Sequence, residues 1–247
     1  MGFAGKTVWI IGASEGIGAA LSRALAQEGA RLILSARNKP ALEALAKDCG
    51  NAQVLPLDLA ETGALAGVAA SLAPSSLDAV ICTAALYDPG LVADLDPETT
   101  ARLVAVNLLG SFEVARLTPP LLRNGGQLVL FGSVAGYFGL PGGQPYSATK
   151  AGVNNLAETL RAELAPRVDV RLVCPGFVST RLTAKNDFSM PAIITPDQAA
   201  QAVIRGLQTR AFEIHFPKRF TLAIKLLRAL PYAVSLRLTA RLRSGGH

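Results

Sequence analysis

Between Lys6 and Gly18 the chain passes from a β-branched, apolar stretch (KTVWII) straight into GASEGIG and then into AALSRALAQEG. A strand, a glycine-rich turn and a helix in that order open a parallel α/β sheet, because parallel neighbours need a helical crossover between them. Gly12, Gly16 and Gly18, with Ser14 and Ile17 between them, let backbone approach a ligand closely, and the helix N-terminus behind them favours an anion such as a pyrophosphate. The same alternation continues along the chain. Strands are expected at 6–11, 31–35, 52–57, 77–82, 126–131, 168–173 and 212–216, and helices at 40–48, 61–72, 97–122, 146–165 and 196–208. At 247 residues, half of them hydrophobic and 17% charged, the chain is long enough for one α/β domain with a large core.

A second stretch, GSVAGYFGLPGGQPYSATK from Gly132 to Lys150, carries the chemistry. Tyr146 and Lys150 stand four apart just after Pro145, so a helix starting there stacks both on one face. Ser133 follows the buried-strand run LVLFG, thirteen residues before the tyrosine. A phenol, a cation one turn away and a hydroxyl from a neighbouring strand make a proton-transfer site, in which the cation favours the phenolate and lowers the tyrosine pKa from about 10. On spacing alone, Tyr146 and Lys150 are equally at home as helix-surface neighbours. Together with G-x-x-x-G-I-G at 12–18, however, the three residues resemble the Ser, Tyr and Lys of the short-chain dehydrogenase/reductase family.

That resemblance spans about residues 5–216. It implies a Rossmann-type α/β fold in one domain, a doubly wound sheet of seven parallel strands in the order 3-2-1-4-5-6-7. A C-terminal extension at 217–247 would lie outside the minimal fold. It also implies Asn107, Ser133, Tyr146 and Lys150 as the catalytic set, the asparagine holding a water of the proton relay. Tyr146 would give its proton to a carbonyl oxygen as hydride arrives, and Lys150 would also bind the nicotinamide ribose. Asp58 and Leu59 would border the adenine, Ala84 and Ala85 would follow the fourth strand, and Pro175, Gly176, Val178 and Thr180 would line the nicotinamide.

At the end of the second strand, where NAD enzymes usually place a carboxylate, stand Ala36 and then Arg37, a cation suited to a 2′-phosphate. The expected cofactor is therefore NADP(H) in preference to NAD(H). The expected reaction is the reduction of a ketone or aldehyde, or the reverse oxidation of an alcohol. Tyr87, Tyr137, Phe138, Leu140, Phe188 and Met190 form an apolar lining that suits a hydrophobic substrate. The chain departs from the family at Cys82-Thr83-Ala84-Ala85, where Asn-Asn-Ala-Gly is common, and at Ile11, where threonine is usual. Both changes replace polar groups by less polar ones, which reads as repacked support for the cofactor cleft. Two rival functions are a dinucleotide-binding sensor without turnover, attached to a membrane through the tail, and an epimerase or dehydratase of the same family. The family also pairs helices 97–122 and 146–164 across a two-fold axis, so a homodimer is expected, with Ala148, Ala151, Gly152 and Ala157 permitting close approach.

Cys49, Cys82 and Cys174 are too widely spaced for a disulfide framework or a metal site, and two histidines make a His-based zinc site a poor fit. Buried thiols and no visible secretory signal suit a cytoplasmic protein. The formal charge of +6 is confined to the tail: from Ile214 onward there are seven Lys or Arg and no acid, leaving 17 basic against 18 acidic residues before it. Helices are expected at 219–230 and 232–242, split by Pro231. In the first, Thr221, Lys225 and Arg228 form one narrow polar stripe on an otherwise apolar helix. Packing against the body or a second subunit is the favoured role for this tail, with peripheral contact to an anionic membrane as the alternative. Nucleic acid fits poorly, because the basic residues come with an apolar face and without interleaved aromatics.

Overall fold

The computed structural model describes residues 2–244, with side chains placed as far as residue 240. Its sheet has seven strands, all parallel, in the order β3-β2-β1-β4-β5-β6-β7. β1 (Thr7–Ile11) lies between β2 (Arg31–Ser35) and β4 (Leu77–Cys82), in the middle of the expected order. Its side chains alternate between two cores. Val8 and Ile10 pack with Leu21 and Leu25 of α1 (Gly16–Gln27), Leu42 of α2 (Lys39–Asp48) and Val203 of α7 (Pro196–Leu207). Trp9 and Ile11 point the other way, towards Leu65 of α3 (Ala64–Ala70), Val114 of α5 (Gly110–Leu117) and Val153 of α6 (Tyr146–Leu164). Burial on both faces is why these strands read as unbroken apolar runs. Each fully buried side chain of this size contributes about 1.5–3 kcal/mol. The one polar group in the middle of β1, the Trp9 indole N–H, donates to Ser35 Oγ at 2.9 Å, so neither polar atom is stranded.

Three expected elements differ. β3 is only Gln53–Val54 as a regular strand, although Leu55 N and Leu57 N still donate to Leu34 O and Ala36 O of the β2 side at 2.9 and 3.1 Å, which leaves Pro56 facing the open edge of the sheet. α3 starts at Ala64, since Gly63 before it takes a left-handed φ of 80° and stops the helix from extending back to Glu61. The helix expected over 97–122 is three pieces: α4 (Pro97–Val104), a π-helical turn at Ala105–Leu109, and α5, which ends at Leu117 ahead of Pro119 and Pro120. β5 (Leu122–Phe131) then begins four residues before Gly126. The helix face expected to hold a second subunit is also narrower than the sequence implies. Ala148 and Ala151 are exposed, but Ala157 is fully buried in the core and Gly152 is backed by Leu108 of its own chain. β6 (Val168–Pro175) and β7 (Glu213–Phe216) complete the sheet, and α8 (Lys218–Ala229) and α9 (Tyr232–Ser244) follow.

The departures at Ile11 and Cys82 have a packing explanation. The two residues are register partners in β1 and β4, both buried in the same apolar cluster. Thr83 keeps a polar link, its hydroxyl donating to Ile11 O at 3.1 Å and Gly12 O at 3.0 Å. The strand ends below the glycine turn are thus joined by apolar packing and one hydroxyl.

Candidate active site

The carboxyl ends of the strands open onto a cleft of about 470 Å³. Its floor is the glycine turn. A Cβ on Gly12 would stand 2.6 Å from Ala84 Cα, and one on Gly18 would stand 2.7 Å from the Thr83 hydroxyl oxygen. Only glycine allows β4 and the start of α1 to close up here. Gly16, at φ 56°, faces the Thr180 methyl, which a Cβ would meet at 3.2 Å. The turn and the Thr180 loop thus form opposite walls of a slot that any larger residue would fill.

Of the residues expected to hold a dinucleotide, Gly12, Ser14, Gly16, Ile17, Gly18, Arg37, Asp58, Leu59, Ala84, Ala85 and Thr180 line this one cleft. Arg37 is exposed at its rim, and among the described residues no carboxylate pairs with it. Asp58 is held by its own loop, accepting from Ala60 N at 2.9 Å, and by Arg102 at 2.8 Å. Pro175, Gly176 and Val178 stand outside the cleft lining. Pro175 pairs with Phe216 at the end of β6, and Gly176 N–H donates to Phe216 O at 2.7 Å beneath Phe220. Val178 is buried in the core, bridged to Ile194.

β5 brings Phe131 to the cleft lining and leads on to Ser133, and α6 delivers Tyr146 and Lys150 beside it from its first two turns. Lys150 is 2% exposed, and its ammonium donates to Phe131 O at 2.7 Å, 5.6 Å from the centre of the Tyr146 ring. Burial pulls this ammonium down to about 8, partly offset by the Cys82 and Cys174 thiols. Burial likewise pushes the Tyr146 phenol up to about 12, while the Ser133 hydroxyl beside it acts in the opposite direction. The depressed tyrosine pKa expected from the sequence is thus reversed in the unliganded chain. Desolvation of the phenolate outweighs the hydrogen bond from Ser133.

Asn107 lies in the π-helical turn, fully buried. Leu86 N donates to its Oδ1 at 2.7 Å, and its Nδ2 donates to Leu86 O at 2.9 Å and Thr149 Oγ1 at 3.3 Å. Its side chain therefore fastens the loop following β4 to α6, beside the tyrosine. An asparagine is disfavoured within a helix, and these tertiary bonds are what keep it there.

The aromatic residues divide. The Tyr87 ring meets that of Tyr146 edge-on at 5.0 Å, and its hydroxyl donates to Asn186 Oδ1 at 2.6 Å. Asn186 in turn donates to Met190 Sδ at 3.2 Å, and Lys185 donates to Tyr87 O at 2.8 Å, so the segment around 185–190 is held over Tyr146. Phe188 is 51% exposed, with its ring 5.8 Å from Phe177. Tyr137 is no plain apolar wall. Its hydroxyl donates to Glu213, which also accepts from Lys225 of α8, and Lys225 stands 5.3 Å from the Tyr137 ring centre. Burial pushes the Glu213 carboxyl upward, but its bonds from Lys225 and Tyr137 win and hold it below its ordinary value. Phe138 is buried and Leu140 half-buried. Two cleft contacts had no signal in the sequence. Arg102 reaches Asp58 across 44 residues, and Arg181 reaches Glu15 of the glycine turn at 2.7 Å across 166. The second pair is exposed, contributes about 0–1 kcal/mol, and is free to open.

A glycine slot at the carboxyl ends of parallel strands, with buried Lys150 and half-buried Tyr146 next to it, calls for comparison with known proteins. The family model for short chain dehydrogenases matches residues 6–189. The chain belongs to the short-chain dehydrogenase/reductase family. Among relatives, an uncharacterized oxidoreductase of Myxococcus xanthus is 31% identical over 92% of this chain and 93% of its own. The ketoacyl reductase HetN of Nostoc is 32% identical, covering 85% of this chain and 78% of its own. A short chain dehydrogenase from Burkholderia cenocepacia, solved in complex with NADP, superposes with a TM-score of 0.83 at 29% identity, covering 98% of this chain and 99% of its own. What the cleft of this short-chain dehydrogenase/reductase can hold rests on the fit of its own residues.

Proposed function

We propose that this chain is an NADPH-dependent reductase of a ketone or aldehyde on a hydrophobic molecule, reversible as an alcohol dehydrogenase. The observation that carries this is the close set formed by Lys150, buried and bonded to Phe131 O of the cleft lining, the half-buried Tyr146 ring 5.6 Å from its ammonium, and Ser133 alongside, next to the glycine-floored slot. A bound NADPH supplies the hydride. The residues that would hold it are Gly12, Ser14, Gly16 and Ile17 at its phosphates, Asp58 and Leu59 at its adenine, Thr180 at its nicotinamide end, and Lys150 at its ribose. With its pKa raised to about 12, Tyr146 carries its proton at neutral pH and donates it to the carbonyl oxygen. Ser133 donates a hydrogen bond to the same oxygen, and Lys150 opposes the negative charge left on the phenolate. Asn107 keeps the backbone around Leu86 and Thr149 in register with Tyr146, the position from which a water of the relay would be held. The NADP complex of the Burkholderia cenocepacia relative and the ketoacyl reductase name of HetN are consistent with this reading.

Arg37 is the proposed grip for the 2′-phosphate, since it is exposed at the cleft rim with no carboxylate to neutralise it. One charge-assisted contact contributes about 1.5–3 kcal/mol, so NADPH should bind at least about tenfold more tightly than NADH. Arg37→Ala should remove most of that difference, as measured by fluorescence titration with both dinucleotides. Equal affinities in the unaltered protein would overturn the assignment.

A homodimer is the proposed assembly. Leu109, 56% exposed, ends the π-helical turn, Phe112, 49% exposed, stands on α5, and Ala148 and Ala151 are exposed small residues of α6. Light scattering at micromolar concentration should give twice the chain mass. The pair Leu109→Arg and Phe112→Arg should halve it. A monomer before substitution would refute the assembly.

A further inference from the structure

The C-terminal helices turn their polar residues towards the protein and their apolar residues outward. Thr221 and Lys225, two members of the polar stripe of α8, are both engaged with β7. The Thr221 hydroxyl shares a 2.6 Å hydrogen bond with His215 Nδ1, and Lys225 pairs with Glu213. On α9 the buried residues are again polar, Ser235 at 0% and Thr239 at 5% exposure. What remains outside is Leu222, Leu226, Tyr232, Val234, Leu236 and Leu238, between 44% and 66% exposed. Leu222 and Leu226, Tyr232 and Leu236, and Val234 and Leu238 are spaced four apart, one helical turn in each case. A run of large apolar side chains this exposed marks a surface that meets something other than water.

The charges around it say what. Lys218, Arg219, Arg228 and Arg237 are exposed among these side chains, and no acid follows Glu213 anywhere in the sequence. A second copy meeting this face about a two-fold axis would set arginine against arginine. The helices have 12 and 13 residues, whereas a span needs about 20. Among the described residues no helix is long and apolar enough to cross a membrane. We propose that α8 and α9 form a docking face for an anionic phospholipid surface, lying in the interface with leucines in the acyl boundary and arginines at the headgroups.

The face adjoins the site described above. Phe220 of α8 lies 5.4 Å from Phe177, which in turn meets Phe188 of the segment held over Tyr146. Where the reductase reading holds, docking sets the substrate mouth beside the bilayer. The docking itself does not depend on that reading.

The test is co-sedimentation of the full chain with vesicles of phosphatidylcholine alone and of phosphatidylcholine mixed with phosphatidylserine. Binding is expected to the mixed vesicles only, and to fall at least about tenfold on going from low to high salt. Leu226→Asp with Leu236→Asp, and separately Arg219→Glu with Arg237→Glu, should each abolish it while leaving the melting temperature unchanged, since all four side chains are exposed. Absence of binding, or equal binding to both vesicle types, overturns the proposal. So does a halving of the solution mass in the leucine variant, which would assign the face to a second copy. The readout needs no substrate, so failure of the reductase reading would leave it intact.

Discussion

Tyr146→Phe is expected to lower the rate of carbonyl reduction by about a thousandfold while leaving NADPH affinity nearly unchanged. The substitution removes one oxygen and keeps the ring, so the edge-on contact with Tyr87 and the packing of α6 on the sheet persist. What is lost is the proposed proton donor, a phenol that burial keeps protonated up to about pH 12. The Ser133 hydroxyl can polarise a carbonyl but is far too weak an acid to replace it. The same raised pKa makes the reverse reaction, which needs the phenolate, climb with pH, whereas reduction should be flat below about pH 8 and fall above it as Lys150 sheds its proton. Steady-state NADPH oxidation with a panel of hydrophobic ketones and aldehydes, alongside a binding titration, measures both quantities. A phenylalanine variant turning over at near-normal rates would assign the proton to another group.

What could be read from the residues follows from how local each feature is. β2 and β4 match their expected bounds at both ends, because each is a short apolar run buried on two faces and closed by a polar or small residue. β3 does not, since past Val54 this edge segment keeps only the bonds from Leu55 N and Leu57 N to the β2 side, with Pro56 between them, and loses the regular strand ladder. The π-helical turn was invisible because the apolar period over 97–122 tolerates one extra residue, and what stabilises the turn is a bond between Asn107 and a residue 21 positions away. The glycine turn, Arg37, Ser133, Tyr146 and Lys150 were legible as short motifs. The ionisation of that pair was not, because it depends on burial, which spacing does not report. The stripe of Thr221, Lys225 and Arg228 was seen as a stripe, but its direction depends on Glu213 and His215, which lie on β7 outside the helix.

Lys150 offers the second large effect, in which stability and activity move in opposite directions. Its ammonium is buried, with one carbonyl partner, Phe131 O, and no carboxylate paired with it among the described residues. Folding lowers its pKa from 10.5 to about 8, so the folded chain holds this proton less firmly than the unfolded one. Below about pH 8 the group is charged in both states and the whole penalty, about 3 kcal/mol, opposes folding. Between about 8 and 10.5 the folded chain sheds the proton first, and the penalty disappears as pH rises. Lys150→Met keeps the length of the stem and removes the charge, at the loss of one hydrogen bond of about 1 kcal/mol. The variant should therefore melt roughly 5 °C above the unaltered chain at neutral pH, an advantage that shrinks towards pH 10. Its turnover should collapse, because no cation then faces the phenolate or the ribose. Thermal melts at both pH values, without added dinucleotide, decide the matter: a variant less stable at neutral pH would mean that the buried ammonium is held by more than Phe131. A gain that persists unchanged at high pH would mean that its proton is not shed there. A residue that destabilised the fold and was nevertheless required for turnover would be what a site built for a developing negative charge demands, since the partner for that charge has to be in place before the charge exists.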